Sequence, residues 1–172
     1  MANNKFVLVP VDLLKNLKEL AKDTEYSDEL QKVLDSRKAI ENHDVTKLPK
    51  SAVVKRVMDG DTVELFNGTV LRYIGITAPE EGESFAEEAT KLNQSLVEGK
   101  EIKLEYDNYT SDKFGRILAY PIIDNKNICV ELVSKGMAEL VIYQKRKPFI
   151  YQVQLLEAQE QAKKQKLGIW KN

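Results

Sequence analysis

Residues 57–80 contain Val57-Met58-Asp59-Gly60-Asp61-Thr62, then Asn67-Gly68, then Leu71-Arg72, and close on Thr77-Ala78-Pro79-Glu80. Apolar and polar residues alternate on both sides of Asn67-Gly68, the dipeptide that most strongly marks a two-residue type I′ hairpin turn. The stretch reads as a strand, a tight acidic turn, a hairpin and a third strand ending in a proline-braced loop. Such a layout sets carboxylates and an arginine on neighbouring strands, where their side chains converge on one anion. A second arginine follows in Asp112-Lys113-Phe114-Gly115-Arg116.

Working outward, the period of two continues. Ala52-Val53-Val54 and Val57 form a first strand, Thr62 to Phe66 a second and Thr69 to Ile76 a third. Phe85 to Val97 is an amphipathic helix stopping near Gly99. Ile102 to Tyr106 and Ile117 to Ile123 make strands four and five. Asp124-Asn125-Lys126-Asn127 turns into a short helix that runs to Gly136. Pro148 marks a helix start, and the final helix carries Tyr151, Leu155, Ala158 and Ala162 on one face up to Gly168, with Ile169 and Trp170 folding back. Five short strands with a helix after the third predict an α+β fold built on a five-stranded OB-type barrel; a ferredoxin-like sheet is the competing arrangement.

Residues 1–48 differ in pattern. Asp12 caps a stripe of Leu13, Leu14, Leu17, Leu20 and Ala21, and a second helix begins near Ser27 with Leu30, Val33, Leu34 and Ile40 on its apolar side. The expectation is an N-terminal helical arm over 1–48, a linker around Asn42 to Lys50, and a barrel domain over 49–172. Two short helices bury too little surface alone, so the arm packs on the barrel, on a second copy as a homodimer, or on a protein partner.

Composition narrows the function classes. The chain has 172 residues with a formal net charge of −1 and a pI near 6.0, which argues against coating nucleic acid by bulk charge but permits a local cationic cleft. A single cysteine, Cys129, and a single histidine, His43, rule out a disulfide framework and a structural zinc site. Cys129 sits in an apolar run and reads as buried packing. No P-loop is present. Asp59-Gly60-Asp61 is not an EF-hand, because the glycine falls between the aspartates and the twelfth position is Val70. No apolar run approaches the length of a membrane span, and Asp12 and Lys15 interrupt Phe6-Val7-Leu8-Val9 too soon for a signal peptide; a cytoplasmic location is expected.

Taken together and in order, Val57 to Val63, Leu71-Arg72, Ala78-Pro79-Glu80, Asp112 to Arg116 and Lys166-Leu167-Gly168-Ile169-Trp170 resemble the staphylococcal nuclease (thermonuclease) family over roughly residues 50–172. The resemblance implies an OB-fold, calcium-dependent phosphodiesterase acting on DNA and RNA. It assigns Arg72 and Arg116 to the phosphate, Glu80 as general base, Asp61 as the main calcium ligand with Asp59 at the edge of the metal site, and Lys113 near the phosphates. Tyr143 is a candidate for stacking on a base, and Lys145 to Lys147 for guiding the backbone. Thr77 departs from the family, which has aspartate there; a hydroxyl in place of a carboxylate weakens any calcium site. The rival reading is a catalytically weak module that binds nucleic acid or protein, recruited through the arm.

Overall fold

The computed structural model describes residues 48–142 and 147–171, together with Asn16, Glu19 and Gln31, which are helical. The expected helical hairpin over 1–48 otherwise lies outside the described residues, as do Tyr143, Lys145 and Arg146. Leu48 is already buried in the core.

Strand β1 (Ser51–Asp59) pairs with β2 (Thr62–Leu65) through its second half and with β5 (Glu101–Glu105) through its first. β2 pairs antiparallel with β3 (Val70–Tyr73), and β5 with β6 (Ile117–Ile123). A parallel pairing of β3 with β6, Leu71 opposite Ile117, closes the ring. The result is a five-stranded mixed barrel of the OB type. Closure leaves these strands no open edge along the paired stretch.

The sequence pattern accounts for most of this. In β5, Glu101, Lys103 and Glu105 are exposed while Ile102 and Leu104 point into the barrel, the period of a half-buried strand. β1 carries register shifts between Val54 and Arg56 and again between Val57 and Asp59. Such bulges let one strand bend to serve both sides of a barrel. Val54, Val63, Leu65, Leu71, Tyr73, Ile102 and Ile117 fill the interior at 1% exposure or less.

Three expectations change in detail. The hairpin at Asn67-Gly68 is not type I′: only Gly68 takes a positive φ, 77°, and its N–H bonds to the Leu65 carbonyl at 2.9 Å, giving a type I turn closed by a left-handed glycine. Phe66 therefore leaves the strand for the turn. Both central residues are left-handed instead at Asp124-Asn125, with φ of 49° and 61°, between β6 and β7 (Lys126–Asn127). The expected third strand breaks at Gly75, φ 76°, and its end becomes β4 (Ile76–Thr77), paired with β8 (Glu139–Leu140) outside the barrel.

Among the residues described from Leu48 onward there are three α-helices: α1 (Ala86–Val97) packs on β1, α2 (Ile128–Ser134) on β6, and α3 (Gln152–Lys164) on α2 and β8. Asn127 caps α2, its side chain accepting from the N–H groups of Cys129 and Val130, the usual service of an N-cap amide. Cys129 is fully buried, and burial pushes its thiol well above the ordinary range. α3 starts four residues beyond Pro148 and stops before Gly168. Lys166 takes the left-handed position, φ 55°, and Leu167 N–H returns to the Ala162 carbonyl at 3.0 Å, the wiring of a Schellman stop. Ile169 N–H then donates to Gly136 O at 2.9 Å. Gly136 and Gly168 touch so closely that a Cβ on Gly136 would lie 2.2 Å from Leu167 O.

Candidate active site

The turn between β1 and β2 places two carboxylates at one end of the barrel. Asp59 Oδ1 accepts the Asp61 N–H at 2.9 Å, closing the turn on itself. Gly60 is required by proximity: a Cβ there would lie 2.4 Å from Ala78 Cβ and 2.9 Å from Ala89 Cβ. Asp61 is 5% exposed. Its Oδ1 accepts from the Thr62 hydroxyl at 2.9 Å and its Oδ2 from Ala78 N–H at 2.7 Å.

Register brings the arginine. Thr62 stands opposite Arg72 in the β2–β3 ladder, and Arg72 Nη2 meets Asp61 Oδ2 at 2.9 Å. The other arm of the fork, Nη1, donates to Tyr73 O at 2.7 Å and Ile76 O at 2.8 Å. The break at Gly75 supplies the second of these carbonyls by turning the chain back, and the guanidinium is held from three sides. Burial pushes the Asp61 carboxyl up to about 7; Arg72 opposes this and Asp59 adds to it. Arg72 therefore leaves the Asp61 charge incompletely compensated.

Arg116 comes from the loop before β6. Asp112 Oδ1 accepts the N–H groups of Phe114 and Arg116 at 2.9 and 3.1 Å, and its Oδ2 accepts Arg116 Nε–H at 2.7 Å. One carboxylate thus shapes the turn and aims the side chain. In the parallel β3–β6 register Arg72 stands opposite Leu118, two residues beyond Arg116, so the alternation of side chains sets both arginines on the same face. Both line a cavity of about 510 Å³ together with Lys113, Phe114, Thr77 and Phe149. Phe114 is 64% exposed, with Lys113 Nζ 5.0 Å and Arg116 Cζ 5.5 Å from its ring centre, an open aromatic face flanked by cations.

The far wall is strapped down by the end of β5. Asp107 Oδ2 accepts Ile150 N–H at 2.8 Å and the Tyr120 hydroxyl at 3.2 Å, and Tyr151 donates its hydroxyl to Glu105. This seats Phe149 on the bare backbone of Gly75, where a Cβ would lie 2.9 Å from its ring.

Of the residues singled out from sequence, Arg72, Arg116, Lys113, Thr77 and Lys147 share this cavity, Asp61 adjoins it through Arg72, and Asp59 stands behind Asp61, accepting its N–H. Glu80 does not line it; it is exposed on the loop beyond β4, its N–H donating to Glu83 Oε2 at 2.8 Å. Tyr143 lies outside the described residues. Phe114, Phe149 and Asp107 were missed as site residues. Phe114 stood inside the Asp112–Arg116 motif, while Phe149 and Asp107 carry no local signal, because what matters is the distant backbone each one meets.

The residues that would hold a cation, Asp61, Asp59 and Thr77, offer only oxygen donors, which suit a hard cation such as calcium or magnesium and not a soft one. Formal charge is scarce: no group of three His, Cys, Asp or Glu side chains comes together among the described residues.

A closed barrel of the OB type, with Arg72 and Arg116 lining one cavity and the buried Asp61 behind Arg72, defines an OB-fold protein with a cationic cleft on the barrel. The chain belongs to the staphylococcal nuclease family: the profile described as "Staphylococcal nuclease homologue" matches residues 70–172. It is 34% identical over 126 residues to the SPbeta prophage-derived endonuclease YokF of Bacillus subtilis (strain 168), covering 67% of this chain and 42% of that one. It is 33% identical over 131 residues to Endonuclease YncB of the same organism, covering 70% and 61%, and 32% identical over 128 residues to the Thermonuclease of Staphylococcus hyicus, covering 69% and 75%. The match thus spans less than two thirds of the length of the two Bacillus relatives. No helix among the described residues is long and apolar enough to cross a membrane.

Proposed function

We propose that this protein hydrolyses phosphodiester bonds in single-stranded DNA and RNA, with little sequence preference and with a calcium-type cation. The observation that carries the reading is the pair Arg72 and Arg116 on one cavity with the buried Asp61 behind Arg72. Attack on a phosphodiester builds charge on oxygens that are already anionic, so fixed cations aimed at them supply most of the rate. Planar guanidinium forks suit that task better than lysine ammonium groups.

In the proposed reaction a water oxygen attacks phosphorus, Glu80 takes the water's proton, and the bond to the 5′ oxygen breaks, leaving a 3′-phosphate. The departing alkoxide is protonated from solvent. Arg72 and Arg116 hold the phosphoryl oxygens, Lys113 steers the neighbouring phosphate, and Phe114 offers a stacking face to a splayed base, which favours single strands. Asp61, Asp59 and Thr77 would hold the cation, which when bound neutralises phosphate charge as a Lewis acid.

Two observations favour a second reading, a nucleic-acid-binding module with weak catalysis: Thr77 brings no carboxylate, and Glu80 stands off the cavity wall. Cleavage of heat-denatured DNA with calcium, with magnesium and with chelator, beside Glu80→Gln, separates the two. Cation-dependent cutting that is lost in the variant is expected. Retention of single-stranded DNA without cutting by either protein would favour the binding module.

A further inference from the structure

We propose that Asn93 is a positioning residue that ties the acidic turn to α1 through the Asp59 carbonyl, and so sets where that turn stands beside Arg72; the inference deepens the nuclease reading and rests on it. Asn93 lies on the inner face of α1 with Ala89 and Val97, and all three are fully buried. A leucine would satisfy an amphipathic helix at this position. A buried amide there is destabilising unless both its groups are paired.

Both ends of the amide are paired, and to different strands. Oδ1 accepts the Tyr73 hydroxyl at 2.9 Å, one residue after Arg72 on β3. Nδ2 donates to the Asp59 carbonyl at 3.0 Å, at the entry to the acidic turn. A carbonyl can only accept, so the partners fix the orientation of the amide. No apolar side chain serves either contact, and a carboxylate could serve only the first.

One turn earlier on the same face, Ala89 is the floor on which Gly60 rests, with a virtual Cβ 2.9 Å away. Ala78 closes the other side, donating its N–H to Asp61 Oδ2 at 2.7 Å. The place of Asp59 and Asp61 relative to Arg72 is therefore set from α1 rather than by the hairpin alone. Asn93 touches neither substrate nor cation in this scheme; it acts through the turn.

The test uses the full chain as wild type, Asn93→Leu and Tyr73→Phe. The second variant removes the hydroxyl contact but keeps the tether to Asp59. Amide hydrogen exchange at Asp61 and Ala78 reads the turn directly. Asn93→Leu should lower their protection about tenfold beyond any loss at core amides such as Leu104, whereas Tyr73→Phe should change them only in step with the core. On denatured DNA, kcat should fall about tenfold in Asn93→Leu, with KM held within about threefold and Tyr73→Phe close to wild type. Equal behaviour of the two variants in exchange, once corrected for global stability, would overturn the proposal. If the wild type does not cut DNA, the nuclease reading fails by itself and exchange alone decides whether Asn93 sets the turn.

Discussion

At the scale of single residues, the site is governed by how Asp61 is solvated. It has exchanged water for Arg72, Thr62 and one backbone N–H, and burial still outweighs these partners. With burial pushing its folded pKa up to about 7, against about 4 for an ordinary aspartate, the folded state holds a proton that the unfolded chain has released across that interval. Stability is then greatest at the acid side and falls as pH rises from about 4 to about 7. Asp61→Asn should flatten that fall, as read by thermal unfolding of the two proteins across the range in chelator. A parallel pH dependence in both would show that other groups set it.

Thr77 is the second residue-scale lever. Thr77→Asp restores a formal charge beside Asp61, and calcium affinity, followed by titration calorimetry, should rise about tenfold or more. No gain would mean that Thr77 is not at the cation. The motif residues near Arg72 were legible because hairpin spacing fixes which strands are neighbours. Asn93 was not: the first of three polar residues between Leu92 and Leu96 looks like the edge of a solvated face until its two partners are seen.

At the scale of elements, the strands were readable wherever one face is solvated, as in Glu101 to Glu105. They were misread where a single glycine bends an otherwise unbroken apolar run, as at Ile74-Gly75-Ile76. The end of α3 was misplaced because a lysine, Lys166, holds the left-handed position usually given to glycine, while Gly168 is kept small by its approach to Gly136. The elements are joined by such close contacts. Gly136→Ala forces a methyl group onto the Leu167 carbonyl and should cost about 3 kcal/mol or more by separating the C-terminal segment from α2. Denaturant unfolding of the variant measures this, and a change below about 1 kcal/mol would show that the contact gives way easily.

At the scale of the whole molecule, the barrel serves as a frame that presents Arg72 from β3 and Arg116 from the loop before β6 to one cavity. The segment 48–50 ahead of β1 joins the same frame: Tyr106 donates its hydroxyl to Pro49 O at 2.7 Å, Leu104 N–H donates to Lys50 O at 2.9 Å, and Leu48 is 3% exposed. A chain begun at Ser51 loses all three contacts. It should be less stable than one begun just before Leu48 by about 2–3 kcal/mol, mostly the burial of one leucine, and equal unfolding midpoints for the two would contradict this.

The central claim is that Arg116 acts on the phosphate that Arg72 holds. Its most direct test is cation-supported cleavage of denatured DNA by wild type and Arg116→Gln, with thermal unfolding of both. A loss of about 10²–10³ in kcat with nearly unchanged unfolding temperature is predicted. Cleavage within about twofold of wild type would contradict it, leaving Arg116 as a loop residue held by Asp112.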